Sequence, residues 1–478
     1  MSINSEKEKI RINELEILTD REKYVVKSYL RKVDFRIIPI MGLIYFFAVM
    51  DRANIGSAFT NGLAEGLNFT KSDKGNATSL FFVFYIIMET PSNILLKRFK
   101  PHLWFSLIIT SWSLVCFCMS FAKSAAAFLV CRSLLGGIES GLTPGVIAYM
   151  PYWYTRAEVG FRMSMFFAAG TLSGVFGGPI AAGLVSVKVK NIAPYSVIFL
   201  IEGAISIGFG ILSFFLIVDY PETAKFLNEE EKDLITRRIR ADQGSAIKEK
   251  VTLKSIKSSL SDWKMWMYAI MFYSANVPGV TINTFSGPLI KNLGYTSRNA
   301  TIMSALPNLA GFVGQLMTGY TMTRFPLFLN AIFYTSFAVV GFAVSGFTFD
   351  NSKLRLGFLC IAGFGTFPNI PIIATWMSVN AGGISKRMIS SAMTVSFGGI
   401  AGATTGYLLT SDFEPKYTAG LSTNIAVLAI IILFSLILSI YFKYENARRD
   451  NNPVDVSHLS EREQRDLNDY HPSFRYRI

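Results

Sequence analysis

The chain has 478 residues, of which 51% are hydrophobic and only 17% are charged. Its mean hydropathy of +0.37 argues against an ordinary soluble protein, since soluble chains carry about 25% charged residues. The net charge of +13 could suit a nucleic-acid-binding protein, but its distribution along the chain argues against that class as well.

Apolar runs of about 20 residues, the length that crosses a bilayer as a helix, recur along the whole chain. The first run begins near Ile37 and follows a charged segment, so a cleavable signal peptide is not predicted. We predict an all-α membrane protein with twelve transmembrane spans, numbered 1 to 12 in chain order: about 37–58, 76–96, 103–122, 125–150, 163–187, 195–218, 264–290, 300–322, 326–347, 355–379, 388–410 and 421–442.

The basic residues predict the orientation of these spans. With a cytosolic N-terminus, most of the 46 Lys and Arg residues fall in cytosolic segments, as the positive-inside rule requires. Both termini are therefore predicted in the cytosol. The basic residues are predicted to contact the lipid bilayer, and no nucleic-acid partner is predicted. The predicted divisions are a cytoplasmic tail, a six-helix half, a cytoplasmic helical linker, a second six-helix half and a second cytoplasmic tail: 1–36, 37–218, 219–263, 264–442 and 443–478.

Two short motifs recur at nearly the same separation in the two halves. Gly141-Leu-Thr-Pro144 in span 4 matches Gly365-Thr-Phe-Pro368 in span 10, and Arg98-Phe-Lys-Pro101 after span 2 resembles Arg324-Phe-Pro326 after span 8. Duplicated six-helix halves are typical of transporters that rock about a site between the halves. The pattern therefore predicts a binding site at the interface of the halves.

Four charged residues interrupt apolar spans. Asp51 and Arg52 lie in span 1, and Arg132 and Glu139 lie on one face of span 4, two turns apart. A charge at the bilayer centre costs at least about 2.5–3.5 kcal/mol, so such residues usually have a function. They could bind an anion, exchange protons or form a structural ion pair between spans. We interpret them as the site of a transporter for a negatively charged solute.

Further residues are candidates for gating or for structural roles. Glu89 precedes Pro91 near the inner end of span 2, and Glu202 lies about a third of the way into span 6. Helix-end or helix–helix hydrogen bonds are the alternative for both carboxyl groups. Gly178 and Pro179 in the glycine-rich span 5 could let that helix slide or flex, and tight helix packing is the alternative.

Amides and aromatic rings, rather than charges, occupy the second half. Asn283, Trp376 and Asn380 are candidate pocket residues, and Tyr85 in span 2 is a fourth. A ring can stack on a planar substrate, whereas amides inside a membrane often only join helices. We expect the first half to handle charge and protons and the second half to shape specificity.

Catalysis and cofactors are not predicted. The four cysteines all fall in spans without a metal-binding or disulfide spacing, and the three histidines lie outside the spans. No catalytic residue, metal site or soluble catalytic domain is visible, so the protein is not predicted to be an enzyme. Sequons at Asn68 and Asn299 lie in predicted outer loops, and whether they carry glycans is left open.

The motifs resemble those of the major facilitator superfamily. Arg132-x-x-x-Gly136 is similar to its span 4 signature, and Gly174-x-x-x-Gly178-Pro179 is similar to its span 5 signature. The usual signature after span 2 is degenerate in this chain. Further motifs resemble the anion:cation symporter family, and within it the fungal allantoate permease branch: Asp51-Arg52-Ala-Asn54-Ile-Gly56, Glu89-Thr-Pro91-Ser-Asn93, Phe199-Leu-Ile-Glu202-Gly203, Asp219-Tyr-Pro221 and Trp376-x-x-x-Asn380.

This resemblance implies roles for the intramembrane charges. Asp51 would pair with Arg132, and Arg52 would pair with Glu139. The two carboxylates would couple protons, and the two arginines would bind the substrate anion. The depth of each residue in its span makes the Asp51–Arg132 contact the easier one, because Glu139 lies about 10 Å further inward than Arg132.

The predicted function is secondary active transport. By resemblance, the protein would import a small organic anion such as nicotinate, pantothenate or allantoate with protons, by alternating access. A non-transporting nutrient receptor of the same fold and a facilitated-diffusion carrier remain alternatives. The plasma membrane is the expected location, with the endoplasmic reticulum or vacuole as alternatives, and the protein is expected to be a monomer.

Overall fold

The computed structural model describes residues 19–60, 62–96, 98–155, 157–185, 187, 189, 192–243, 253–291, 294, 303–348, 351–408, 418–452, 455–456, 464 and 467–478. These residues form helices at all twelve predicted spans. In span order the helices are Asp20–Thr60, Lys71–Leu96, Pro101–Met119, Ala125–Glu139 with Leu142–Tyr149, Val159–Val185, Pro194–Leu216, Trp263–Lys291, Ala305–Arg324, Leu327–Phe347, Ser352–Thr366 with Asn369–Asn380, Ile384–Leu408 and Thr418–Asn451.

The spans differ in how apolar they are. Within the described residues, eight helices are long and apolar enough to cross a membrane by composition alone. The helices of spans 2, 7, 8 and 11, which have 26, 29, 20 and 25 residues, are not among these eight. Each of the four carries a buried polar side chain: Glu89, Thr281, Gln315 and Thr394.

Spans 4 and 10 are each divided into two helices at the duplicated motif. Span 4 is interrupted between Glu139 and Leu142, and span 10 between Thr366 and Asn369. Pro144 and Pro368 lack the backbone N–H that would bond the carbonyl four residues earlier. A proline therefore lies at the interruption of the equivalent span in each half.

The two halves pack in the same pattern. Span 1 packs on span 5, span 2 on span 4 and span 3 on span 6, and the second half repeats these pairs as 7 with 11, 8 with 10 and 9 with 12. Gly136 of span 4 lies directly against the Phe81 carbonyl of span 2, and Gly363 of span 10 lies in the same way against the Pro307 carbonyl of span 8. The duplication seen in the motifs is thus repeated in the helix contacts.

Contacts between the halves run mainly along spans 2 with 11 and spans 5 with 8, and helices Leu142–Tyr149 and Asn369–Asn380 add contacts to spans 11 and 5. On the inner part of span 5, Ser164 Oγ donates to the Gln315 carbonyl at 2.9 Å, and Thr171 Oγ1 donates to Gln315 Oε1 at 2.6 Å. Ser396 of span 11 donates to Glu89 of span 2. These contacts lie from the membrane middle to its cytosolic side, so the halves are closed toward the cytosol.

The described parts of the cytoplasmic segments form helices that contact one another. Residues 20–36 continue the helix of span 1, and the linker forms helices Glu229–Gln243 and Leu253–Leu260. Lys32 Nζ donates to both carboxylate oxygens of Glu231, at 2.8 and 2.9 Å, and thereby joins the first segment to the linker. The helix of span 12 extends to Asn451, beyond its predicted end.

Candidate functional site

An ion pair inside the membrane joins spans 1 and 4. Arg52 Nε donates to Glu139 Oε1 at 2.5 Å. The Glu139 side chain is fully buried, whereas 23% of the Arg52 side chain is exposed. Glu139 Oε2 and Arg52 Nη2 are buried without a hydrogen-bond partner. The pair therefore leaves one donor and one acceptor without a partner. The Arg52–Glu139 contact forms although the depths of the two residues had made it the less expected of the two predicted pairs.

The second arginine is held differently from the expectation. Arg132 is 2% exposed, and its Nε donates to the Ala77 carbonyl of span 2 at 3.1 Å. The expected ion pair with Asp51 is not formed among the described residues, because the Arg132 side chain is directed toward span 2. Arg132 Nη1 is buried and has no hydrogen-bond partner. This side chain also has a donor available.

Asp51 is directed toward span 3 instead. Trp112 Nε1 donates to Asp51 Oδ2 at 3.2 Å, and Cys116 Sγ donates to Oδ1 at 3.8 Å. Trp112 and Cys116 are four residues apart and so share one helix face. Neither residue was predicted to belong to the site, although two polar donors one helical turn apart in an apolar helix can indicate a shared buried acceptor.

An aromatic surface lies beneath the two guanidinium groups. The Cζ atoms of Arg132 and Arg52 lie 5.0 and 5.7 Å from the centre of the Phe81 ring, and Arg52 Cζ lies 5.1 Å from the centre of the Tyr85 ring. These distances permit cation–π attraction. Tyr85, a predicted pocket residue, is thus beside the charges. Phe81 was missed, although it lies one helical turn before Tyr85 on the same face.

Glu89 and Asn283 lie where the halves meet. Glu89 is fully buried and accepts a hydrogen bond from Ser396 across the interface. A side chain at Gly174 of span 5 would come within 2.9 Å of both Asn283 Oδ1 in span 7 and Asn308 Oδ1 in span 8. Asn283 therefore packs against span 5 of the other half, and its role in a pocket stays a prediction. Asn308 joins it, with an Oδ1 that lacks a partner.

The remaining gating candidates are parts of continuous helices or of the core. Pro91 lies inside the helix of span 2, and Gly178 and Pro179 lie inside the helix of span 5. Glu202 is 1% exposed, and neither of its carboxyl oxygens has a hydrogen-bond partner. A carboxyl group so placed is unusual, because buried polar groups are nearly always hydrogen-bonded.

Trp376 and Asn380 do not lie beside the charges, which contradicts their prediction as pocket residues. Trp376 Nε1 donates to the Arg477 carbonyl at 2.9 Å, and Asn380 Nδ2 donates to the same oxygen at 2.9 Å. Asn380 Oδ1 accepts the Arg477 backbone N–H at 2.8 Å. Both side chains are satisfied by the C-terminal segment at the inner end of span 10.

Of the two predicted glycosylation sequons, the structure describes the one at Asn68. Asn68 is exposed and has a positive φ of 54°, a conformation that asparagine tolerates better than most residues. It lies in the loop between spans 1 and 2. Asn299 lies outside the described residues.

Comparison with known proteins agrees with this architecture. The family model described as Major Facilitator Superfamily matches residues 41–404. The chain is 29% identical over 433 residues to the MFS transporter prlL of a fungal species (strain NRRL 50135), covering 88% of each protein. It is 27% identical over 456 residues to the high-affinity nicotinic acid transporter of Saccharomyces cerevisiae, covering 94% of this chain and 84% of the yeast protein.

A solved structure shows the same fold. The proton:xylose symporter XylE, bound to 6-bromo-6-deoxy-D-glucose, aligns with a TM-score of 0.63 at 12% identity, covering 84% of this chain and 95% of that chain. The family model spans most of the chain, and the helices form two equivalently packed halves. The chain therefore belongs to the major facilitator superfamily and is an integral membrane transporter, not an enzyme.

Proposed function

We propose that this protein imports a small organic carboxylate together with protons. The observation that carries the proposal is the pair of arginines over Phe81. Arg52 and Arg132 come from different spans, lie over one ring, and each keep a buried guanidinium nitrogen without a partner. Arginine donors match the planar geometry of a carboxylate, so a carboxylate substrate supplies the missing acceptor.

The proposal gives different roles to the two arginines. Arg52 is partly exposed, whereas Arg132 is closed in by Ala77 and Phe81. Arg52 is therefore the group that meets the substrate first. Arg132 fixes the positive potential behind it and completes the contact once the anion has entered.

Proton coupling follows from competition for Arg52. Glu139 now accepts its hydrogen bond from Arg52. A substrate carboxylate that binds Arg52 weakens this pair, and a buried carboxylate that loses its partner becomes costly to keep charged. Glu139 then takes up a proton. By linkage, protonation of Glu139 in turn favours anion binding, so the two solutes bind cooperatively.

The cargo class rests on the site and on a relative. Tyr85 and Phe81 offer ring faces beside the arginines, which suits a carboxylate on a flat ring. The yeast relative is named for nicotinic acid transport. Nicotinate is therefore the first candidate, with pantothenate and allantoate next.

The proposal also covers the membrane and the oligomeric state of the protein. We place the protein in the plasma membrane as a monomer, with the endoplasmic reticulum or vacuole as alternative membranes. The main competing function is a receptor of the same fold that binds the anion without carrying it. A facilitated-diffusion carrier, which would move the anion without protons, is the second competitor.

Uptake by reconstituted protein separates these functions. Purified protein in liposomes is offered radiolabelled nicotinate or its neutral amide, with the outside at pH 5 or at pH 7.5 and the inside at pH 7.5. We expect accumulation of nicotinate only with the acidic outside, and little uptake of the amide. Equal uptake at both pH values, once corrected for passive entry of nicotinic acid into empty liposomes, would indicate facilitated diffusion. Binding without uptake would indicate a receptor.

A further inference from the structure

Two amide side chains of the second half converge on one glycine of the first half. Asn283 of span 7 and Asn308 of span 8 each have Oδ1 2.9 Å from the position that a Cβ at Gly174 of span 5 would occupy. Because glycine has no side chain, span 5 leaves both carbonyl oxygens uncovered at this point. The two oxygens therefore border the same gap between the halves.

The Asn308 oxygen is buried without a partner. Asn308 is 2% exposed, and its Nδ2 donates to the Ser304 carbonyl at 3.2 Å. This bond fixes the orientation of the amide, because the opposite orientation would place Oδ1 against the Ser304 carbonyl. Oδ1 is thus directed toward Gly174, and it has no hydrogen-bond partner among the described residues. Buried polar groups are nearly always hydrogen-bonded, so this oxygen indicates a donor that the chain itself does not supply.

Gln315 provides a comparison on the same face of span 8. It lies seven residues, or two turns, inward of Asn308 and is also buried. Its Oε1 accepts a hydrogen bond from Thr171 of span 5 at 2.6 Å, and its Nε2 donates to the Phe367 carbonyl at 3.2 Å. Gln315 therefore joins helices with both ends of its amide. Asn308 uses only one end, so helix joining accounts for its nitrogen and not for its oxygen.

The two amides lie outward of the closed contact between the halves. Thr171, which bonds Gln315, lies three residues inward of Gly174 on span 5. Asn283 is exposed although it lies against Gly174 of the other half, so the gap is accessible at that point. A solute that enters from the outer side therefore reaches the amides before it reaches the closed contact.

The arginine site and the amides open from one helix contact. Tyr45 of span 1 packs against Gly170 of span 5. Arg52 lies two turns outward of Tyr45 on the same face of span 1, and Gly174 lies one turn outward of Gly170 on the same face of span 5. Both sites therefore face the space above this contact, with the charges on one side and the amides on the other.

We propose that Asn308 and Asn283 bind an N–H or O–H donor at the far end of the transported carboxylate. The inference rests on the proposed function and narrows its cargo. The Asn308 carbonyl oxygen accepts a hydrogen bond and cannot donate one. Allantoate has ureido N–H groups, and pantothenate has hydroxyl and amide donors, whereas the ring nitrogen of nicotinate is an acceptor at neutral pH. Allantoate and pantothenate therefore fit this subsite better than nicotinate, which binds through its carboxylate alone.

Binding affinities test this order, which differs from the order that the ring faces and the yeast relative favour. Isothermal titration calorimetry at pH 7.5 measures the binding of allantoate, pantothenate and nicotinate to purified protein. Wild type should bind at least one of the two donor-bearing acids about ten-fold more tightly than nicotinate. Asn308→Leu, which keeps the size of the side chain and removes the acceptor, should abolish this preference and leave nicotinate affinity unchanged.

Gly174→Ala tests the same subsite without removing an amide. The added methyl group would push both oxygens aside, and the fold can adjust because these atoms end flexible side chains. The preference for donor-bearing acids should fall as it does in Asn308→Leu. Gly177→Ala is the matched control in the same helix, because a Cβ there would have nothing within 4 Å, and it should keep the wild-type preference.

The outcomes separate this inference from the proposed function. If wild type neither binds nor carries any of the three acids, the proposed function fails and the inference fails with it. If the acids are carried but wild type prefers nicotinate, or if Asn308→Leu weakens all three alike, only the inference is overturned. If Asn308→Leu does not fold, the preference of Gly174→Ala decides. If binding requires sodium ions and Asn308→Leu removes that requirement, the amide oxygens hold a cation and the inference is again overturned.

Discussion

In the proposed mechanism, Arg52 is the residue that both the substrate anion and Glu139 contact. Its Nε is used by Glu139 while Nη2 remains without a partner, and its charge also rests against the rings of Tyr85 and Phe81. A lysine at this position would supply the charge but not the fork of donors that bonds two acceptors at once. The geometry of the guanidinium, and not only its charge, is therefore part of the site.

Arg52→Lys and Arg52→Ala should both reduce transport, for different reasons. Loss of a charge-assisted hydrogen bond costs about 1.5–3 kcal/mol, so we expect Arg52→Lys to weaken nicotinate affinity by about 10–100-fold. Arg52→Ala also leaves Glu139 buried without its partner, so uptake should be lost. Uptake kinetics against nicotinate concentration measure both effects. Arg98→Ala, which removes an exposed arginine after span 2, should leave them unchanged.

At the scale of helices, two glycines set how closely spans approach. An added methyl group at Gly136 would overlap the Phe81 carbonyl, and one at Gly363 would overlap the Pro307 carbonyl. Backbone cannot yield as a flexible side chain can. Gly136 of span 4 thus packs against Phe81 of span 2, the residue whose ring lies under the arginines. Phe81 therefore contacts both the close-packed Gly136 and the Arg132 guanidinium.

Gly136→Ala and Gly363→Ala should destabilise the protein to similar extents. Overpacking of a close helix contact costs about 1–3 kcal/mol. Gly208→Ala in span 6 is the control, because nothing lies within 4 Å of an added Cβ there, and it should be neutral or slightly stabilising. Melting temperatures in detergent would show this. Equal melting temperatures for all three variants would mean that the close contacts do not limit stability.

The C-terminal segment is an element that packs against the second half. Asp469 is fully buried and bonds Lys264 at 3.1 Å and Lys386 at 2.5 Å, at the starts of spans 7 and 11. Arg449, near the end of the helix of span 12, donates to the carbonyls of three residues of the segment: Asp469, His471 and Phe474. The segment therefore ties together the inner ends of several spans of one half.

Asp469→Asn should destabilise the protein strongly. Burial alone would raise the pKa of Asp469, but Lys386 and Lys264 lower it below its ordinary value of 3.8. The carboxylate therefore stabilises the fold above about pH 4, and this contribution is lost as the pH falls below that value. Removing one partner of a buried ion pair costs about 3–5 kcal/mol.

Melting temperatures at pH 7 and at pH 3.5 would measure this contribution. We expect Asp469→Asn to melt well below wild type at pH 7, with a smaller difference at pH 3.5. Asp450→Asn is the control, because Asp450 pairs with Arg475 at an exposed position, where an ion pair contributes about 0–1 kcal/mol. Equal losses for the two variants would show that the buried cluster does not stabilise this segment.

At the scale of the whole molecule, the pattern of apolar runs and basic loops predicted the positions of the twelve helices, because lipid acts on each helix separately, although four of them are less apolar than the other eight. The partners of buried polar groups were harder to predict. Asp51 was assigned to Arg132 by family resemblance and because the two residues lie at similar depth, but rotation of span 1 directs it to Trp112. Trp376 bonds the C-terminal segment, and no periodic pattern in that segment indicates where it packs. Contacts between distant segments depend on helix rotation, which hydropathy does not fix.

The contact between spans 2 and 11 gives a test of whether the halves must separate during transport. Gly399 of span 11 faces Ile86 of span 2, and a Cβ at Gly399 would lie 3.1 Å from Ile86 Cγ1. A cysteine Sγ at position 86 would take a position like that of Ile86 Cγ1, so cysteines at both positions would be close enough to form a disulfide. A bond there would join the two halves near the middle of the membrane.

Ile86→Cys combined with Gly399→Cys should therefore lose nicotinate uptake on oxidation and regain it on reduction. Each single variant, treated with the same oxidant, controls for the native cysteines, of which Cys118 is exposed. Because a Cβ at Gly399 would lie 3.7 Å from Tyr85 Cδ1, the Gly399→Cys single variant also controls for an effect on nicotinate binding. Binding should be the same in the cross-linked and the reduced double variant, because the bond does not touch Arg52 or Arg132. Full uptake by protein whose cross-link is verified by mass spectrometry would mean that spans 2 and 11 stay together throughout the cycle. The anion would then need a route that does not open this interface.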